Sequence, residues 1–234
     1  MRLEAGRDRA AIADHLLRLA DGDPLVIGLD FGFSFPDWFL TQLGVPDAPA
    51  LWAHVAEHGE RWLVECAPPF WGRPGRARPV LSDSPFRCCE AAAPRIGGIG
   101  AKSMFQIGGA GAVGTGSIRG MPLLHHLHRA GATIWPCTGG GWPVVVEIYP
   151  RLLTGPVTKS SATARSRYLA DRYPRLQPEH LAAASASEDA FDAAVSALVM
   201  VEHLADLRTL PVEPDPVLRR EGRIWHPAWR SDRV

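Results

Sequence analysis

In the stretch RDRAAIADHLLRLADGD, apolar residues recur at Ile12, Leu16 and Leu19. This is the i, i+4, i+7 spacing of a helix with one buried face. Asp21-Gly22 is expected to end it, because glycine accepts the left-handed conformation that closes a helix. LVIGLD follows, a short continuous apolar run suited to a strand covered on both faces. It finishes in Asp30, and FGFSFP then carries the chain into a loop. Helix, buried strand and an acid at the strand's carboxyl end predict an α/β fold, in which ligands gather beyond the carboxyl ends of the strands.

Further along, WAHVAEHGERWL predicts a helix and CAPPFWGRPGRARPVLSDSPFR an irregular segment. Residues 36–120 are rich in Trp, Pro and Gly and read as an insertion, since structureless loops of that length are uncommon. PLLHHLHRAG predicts a short helix, and TIWPC and VVVEIYP predict strands. The strongest helix runs from Ser187 to about Leu207, with Phe191, Val195 and Leu198 on one side. The Pro- and Arg-rich tail after Pro211 is expected as an extended strap. With no internal repeat, residues 1–234 read as a single domain.

Composition narrows the function classes. Lys and Arg total 25, as do Asp and Glu, so no global basic field announces nucleic acid. No apolar run approaches the ~20 residues of a membrane span, and MRLEAGRDRAA is not a signal peptide. The four cysteines lack CxxC spacing, which predicts a reduced, cytoplasmic protein.

Four motifs invite chemistry. QIGGAGAVGTGSIRGMP contains GxGxxG by letter, but it lacks the Lys of a phosphate loop and the context of a dinucleotide fingerprint. A backbone-shaping loop is the first reading. The second is an anion nest at Gly109 and Gly111, flanked by Lys102 and Arg119, that receives one phosphate. His125, His126 and His128 lack a HExxH or Cys partner and read as a helix face. Glu147 interrupts the β-branched run of VVVEIYPR, so it is paired with Arg151 or another arginine, or it serves a site. In SASEDAFDAAVSALVM, Ser185 and Glu188 have capping-box spacing. Asp189 and Asp192 share a helix face, where two like charges repel unless a cation lies between them. Two or three converging carboxylates suffice for Mg²⁺.

Taken together, VIGLDFGFSFP, GERWL, KSMFQIGGAGAVGTGSIRGM, VVVEIYPRLLTG and SEDAFDAAVSALVM carry a resemblance that covers nearly the whole chain. The chain resembles domain-of-unknown-function family 429, regarded as predicted nucleases of the ribonuclease H-like superfamily. The resemblance implies a mixed sheet flanked by helices and a nuclease dependent on Mg²⁺ or Mn²⁺ that hydrolyses phosphodiesters of nucleic acid. Asp30, Asp189 and Asp192 would be its catalytic metal ligands and Glu147 a further catalytic acid. Lys102, Arg119, Arg151, Gly109 and Gly111 would contact phosphate. The superfamily fold opens with antiparallel strands whose first member carries Gly-x-Asp, and no such motif precedes the first helix here. The chain is therefore expected to start late, exposing an edge of strand 25–30 and lacking one metal ligand. The alternative is a non-catalytic nucleic-acid- or protein-binding member of the same fold, and a nucleotide-binding module using the glycine segment ranks last.

Overall fold

The computed structural model describes residues 1–21 and 24–229. Helix α1 (Arg9–Ala20) starts at Asp8, whose carboxylate accepts the Ala11 N–H at 2.8 Å. Asp21 caps it in an extended conformation, and Gly22, the expected terminator, lies outside the described residues. Strand β1 (Val26–Leu29) follows, then α2 (Asp37–Leu43) and α3 (Ala48–Glu65). The latter is capped by the Asp47 carboxylate on Ala50 N–H and has a proline in its first turn, where no N–H is needed.

After the short α4 (Cys88–Ala92), α5 spans Gly114–Arg129 and so begins well before the helix expected at PLLHHLHRAG. Strands β2 (Ala132–Trp135) and β3 (Gly141–Ile148) lead to α6 (Pro150–Thr154), α7 (Ala162–Arg172) and α8 (Pro178–Ser185). Helix α9 (Glu188–Glu202) stops at His203, short of the expected limit, and α10 (Leu204–Leu207) is a separate turn. The tail is not only a strap, for it folds into α11 (Pro216–Glu221) and β4 (Ile224–Trp225).

The molecule is a mixed α/β protein with a small sheet flanked by helices. β3 is the central strand, with β1 along one side and β2 along the other. Leu29 and Ile224 both pair with Glu147, so β4 lies across from β1 and continues the side that β2 begins. Among the described residues every pairing within the sheet is parallel, whereas a mixed sheet was expected. Among the described residues β1 pairs only with β3, which leaves its outer edge without a strand.

Side-chain alternation divides two apolar cores between the sheet faces. Ile27, Ile134 and Val145 enter the first core, with Trp52, Phe35 and Phe105. Trp135, Val146 and Ile148 enter the second, with Phe191, Val195 and Trp225. The segment read as an insertion supplies most of the first core: its Phe105 stacks on Phe35 at 5.3 Å, and its Trp62 and Phe70 meet Phe35 edge-on. It therefore supports the sheet directly.

Candidate functional site

The chain leaving β1 is held tightly. Gly32 N–H donates to Ser117 Oγ at 2.9 Å, and Phe33 N–H to Glu147 Oε2 at 2.8 Å. Trp52 Nε1–H donates to the Phe33 carbonyl at 2.7 Å. Asp30 stands at the start of this turn, reachable by solvent yet surrounded by protein on most sides, as expected at the floor of an open cleft. That partial burial, then the charge of Asp192, raises its pKa to about 6. Glu147 and Asp189 push in the same direction and Lys159 opposes them.

Helix α9 brings the other acids. Its cap is Ser187, whose hydroxyl accepts the Ala190 N–H at 3.0 Å. The capping box expected from Ser185 and Glu188 is corrected accordingly: Ser185 is the last residue of α8, and its hydroxyl bonds back to the Ala182 carbonyl. Asp189 lies in the exposed first turn, and Asp192 lies one turn further along. Phe191, Ala194 and Val195 bury the opposite side of the helix.

Asp192 is paired with Lys159, whose Nζ lies 2.7 Å from Oδ2 and whose side chain is only 9% exposed. Burial raises the Asp192 pKa despite this partner. Arg165 fixes Lys159 in turn, donating to the Lys159 carbonyl and, through Nε, to the Ser185 carbonyl at 3.0 Å. Arg151 donates to the Val157 carbonyl at 2.9 Å, shaping the turn after α6, while its charge reaches Asp192. Tyr149 feels both Asp30 and Asp192, and its pKa is raised mainly by burial.

Glu147 sits in a different environment. Its side chain projects toward the first core, and both oxygens are taken by Arg87, through Nη2 to Oε1 at 2.6 Å and Nη1 to Oε2 at 2.8 Å. The partner is thus Arg87, and Arg151 is excluded from that role. Arg87 also donates through Nε to Glu90 Oε1 at 2.9 Å and through Nη1 to the Glu221 carbonyl at 3.0 Å. Burial raises the Glu90 pKa to about 7, against the pull of Arg87. The register explains the separation: Glu147 follows the parity of Val145, whereas Asp30 follows that of Val26 and Gly28, which face α9. As a catalytic acid Glu147 is corrected to a buried, fully paired group.

Beyond the ends of β1 and β3 lies an open cavity of about 430 Å³, lined by Asp30, Lys102, Gly111 and Tyr149 among apolar walls, with the paired Arg87, Glu90 and Glu147 also in its wall. Lys102 and Gly111 therefore belong to the cleft, and the Lys102 side chain lies against Gly111. Gly109 is not part of this lining and serves the turn, with φ +78°. Arg119 lies outside this lining and makes a two-pronged exposed pair with Glu60 at 2.7 and 2.9 Å. Gly114 and Gly120 have packing reasons: a Cβ would stand 2.1 Å from the Met104 carbonyl and 2.6 Å from the Phe31 ring. His128 packs edge-on against Trp52, in keeping with the helix-face reading.

Lys159, Arg87 and Glu90 escaped the sequence reading. Lys159 lies in TGPVTKSS, with no periodicity to mark it, and Arg87 sits in the irregular stretch. The unexplained acid in a β-branched run was the available signal for Arg87. Among the described residues no group of three or more His, Cys, Asp or Glu stands arranged to hold a metal, and no helix is long and apolar enough to cross a membrane. No family model, curated protein or solved structure matches the chain.

Proposed function

We propose that the chain is a ribonuclease H-like hydrolase of phosphodiester bonds in nucleic acid, working with Mg²⁺ or Mn²⁺ at Asp30, Asp189 and Asp192. One observation carries this reading: Asp30, at the end of β1 and on the wall of an open cavity, feels the charges of Asp192 and Asp189 from helix α9, which push its pKa up together with its burial. Repelling carboxylates at the carboxyl edge of a parallel sheet suit a hard cation in kind, since every donor is an oxygen. Their charge is met in part by Lys159, which must yield Asp192 for the set to be complete.

When bound, the cation supplies an activated water and charge on the phosphoryl oxygens. The residues do the rest. Asp30, ionised above its pKa of about 6, would offer its carboxylate to the cation, and Asp189 would add a second from the exposed first turn of α9. Lys159, released from Asp192, stands as a positive charge for the phosphate, and Lys102 holds the strand at the cavity mouth. Phosphate contacts of this type position a backbone without reading its sequence. Arg151 acts at one remove, by fixing the turn that presents Lys159.

A cleavage assay on single-stranded, duplex and branched substrates with Mg²⁺ or Mn²⁺ tests this. Wild type should cut, and Asp192→Asn should lose at least about 100-fold, the scale of removing one preorganised charge at a reacting centre. Equal rates for the two would remove Asp192 from the mechanism. The second reading, a non-catalytic binding protein, is favoured by the Lys159–Asp192 pair, which already neutralises one acid. It predicts no cleavage with either metal.

A further inference from the structure

The cavity beside Asp30 is larger than a metal site needs. Its volume of about 430 Å³ falls in the range of roughly 300–1,000 Å³ over which pockets enclose one small organic molecule. Phe31, Met104 and Ile148 supply apolar wall, and Lys102 and Asp30 supply opposite charges. Ile99 and Val113 also line it, with 46% and 36% of their surface exposed. Exposed apolar side chains around a concave opening are a mark of a binding surface.

Gly116 sharpens this. It sits in the first turn of α5 and lines the cavity. Glycine inside a helix costs about 1 kcal/mol relative to alanine, so its presence calls for a reason. At Gly114 and Gly120 the reason is packing, as described. At Gly116 a Cβ would meet nothing within 4 Å and φ is not left-handed. No packing contact accounts for glycine there, and a side chain at this position would enter space beside the cavity wall.

We propose that this cavity takes one unstacked nucleobase of the nucleic-acid substrate, with Lys102 on the adjoining phosphate and Asp30 at the bond to be cut. The inference rests on the phosphodiesterase reading above and names its substrate class: single-stranded nucleic acid, or a strand from which one base has left the stack. A flat, amphipathic ring next to an anion matches apolar walls beside a lysine. A paired base cannot enter without leaving its duplex, and that extrusion is easiest where pairing is already absent. Base contacts on apolar and aromatic walls accept any base, so the site selects strandedness over sequence.

The test is binding of single-stranded oligonucleotides, each with one abasic residue moved stepwise along the strand, with Ca²⁺ present to suppress cleavage. Wild type should bind the single strand at least 10-fold more tightly than the duplex, and one abasic position should weaken binding at least 10-fold. Gly116→Leu should weaken binding of the intact strand at least 10-fold while its far-UV circular dichroism and unfolding midpoint stay at or above wild type. Gly116→Ala, which fills less of the cavity, should weaken binding by less than Gly116→Leu. Equal binding by Gly116→Leu, indifference to every abasic position, or no binding of any oligonucleotide would overturn the base pocket. Base-dependent binding without cleavage in Mg²⁺ or Mn²⁺ would sink the hydrolase reading and leave the pocket standing. Cleavage indifferent to abasic residues would do the reverse.

Discussion

Two assemblies of acids and a single base lie on opposite faces of the same sheet, and they are built to different ends. On the first-core side, the guanidinium of Arg87 is 1% exposed and engages Glu147, Glu90 and the Glu221 carbonyl. On the α9 side, the Lys159 ammonium meets Asp192 alone, while Asp30 and Asp189 stand exposed to solvent. Arg87 presents a planar fork that satisfies several oxygens at once, whereas a lysine is a point charge on a flexible stem. The forked assembly ties several elements together through one buried group; the lysine-held one is a single pair, and the proposed function requires it to open. Position in the fold, more than the count of charges, separates structure from chemistry here.

Substitutions should drive the two assemblies apart. Arg87→Met leaves Glu147 and Glu90 buried without a cation and should cost about 3–5 kcal/mol in urea unfolding. Asp192→Asn should cost less, because the Asn oxygen can still accept from Lys159 and the Asp192 side chain keeps 23% of its surface in solvent. Equal losses for the two variants would erase the distinction.

Mg²⁺ should stabilise wild type by about 2.7 kcal/mol at a hundred times its dissociation constant. The gain should vanish in Asp30→Asn and be larger at pH 7.5 than at pH 5.5, because the proton on Asp30, with its pKa near 6, competes with the cation. Thermal melts with and without metal measure this. A gain that survives Asp30→Asn would place the cation elsewhere.

The pH dependence of the sealed side has a definite sign. Glu90 has a folded pKa of about 7 against an ordinary 4.5, so the folded state holds the proton more tightly. Its contribution is complete below the ordinary value and is lost as pH rises through about 7, with a slope of at most about 1.4 kcal/mol per pH unit. Glu90→Gln should flatten the unfolding free energy over that window; an unchanged slope would point to another group. The smallest effect belongs to Arg119→Ala, which breaks only an exposed pair with Glu60 and should leave both stability and nucleic-acid binding within measurement error.

Much of this could be read in the chain, and what could not shares one cause. LVIGLD, VVVEIYP and the α9 stripe announced their elements because burial on one or both faces leaves a local period. Asp30 stood out as an acid ending an apolar strand, and Asp189 and Asp192 as acids spaced three apart. Pairings across the fold leave no such period. Nothing near Glu147 names Arg87 as its partner, and nothing near Asp192 names Lys159. The two layers for Glu147 and Asp30 follow from strand register, known only once Leu29 is set opposite Glu147. Glycines in one segment proved to have separate reasons, which letters alone cannot sort.

The sheet's assembly order carries a consequence for synthesis. β1 waits for β3, and the carboxyl end of β3 waits for β4. The guanidinium of Arg87 receives its last acceptor only when Glu221 arrives. Parallel strands joined across long intervals fold slowly, since closure entropy must be met before the contacts form. A chain that has emerged only as far as residue 210 holds an incomplete ionic core and an unfinished sheet, so folding during synthesis waits for the segment that carries α11 and β4.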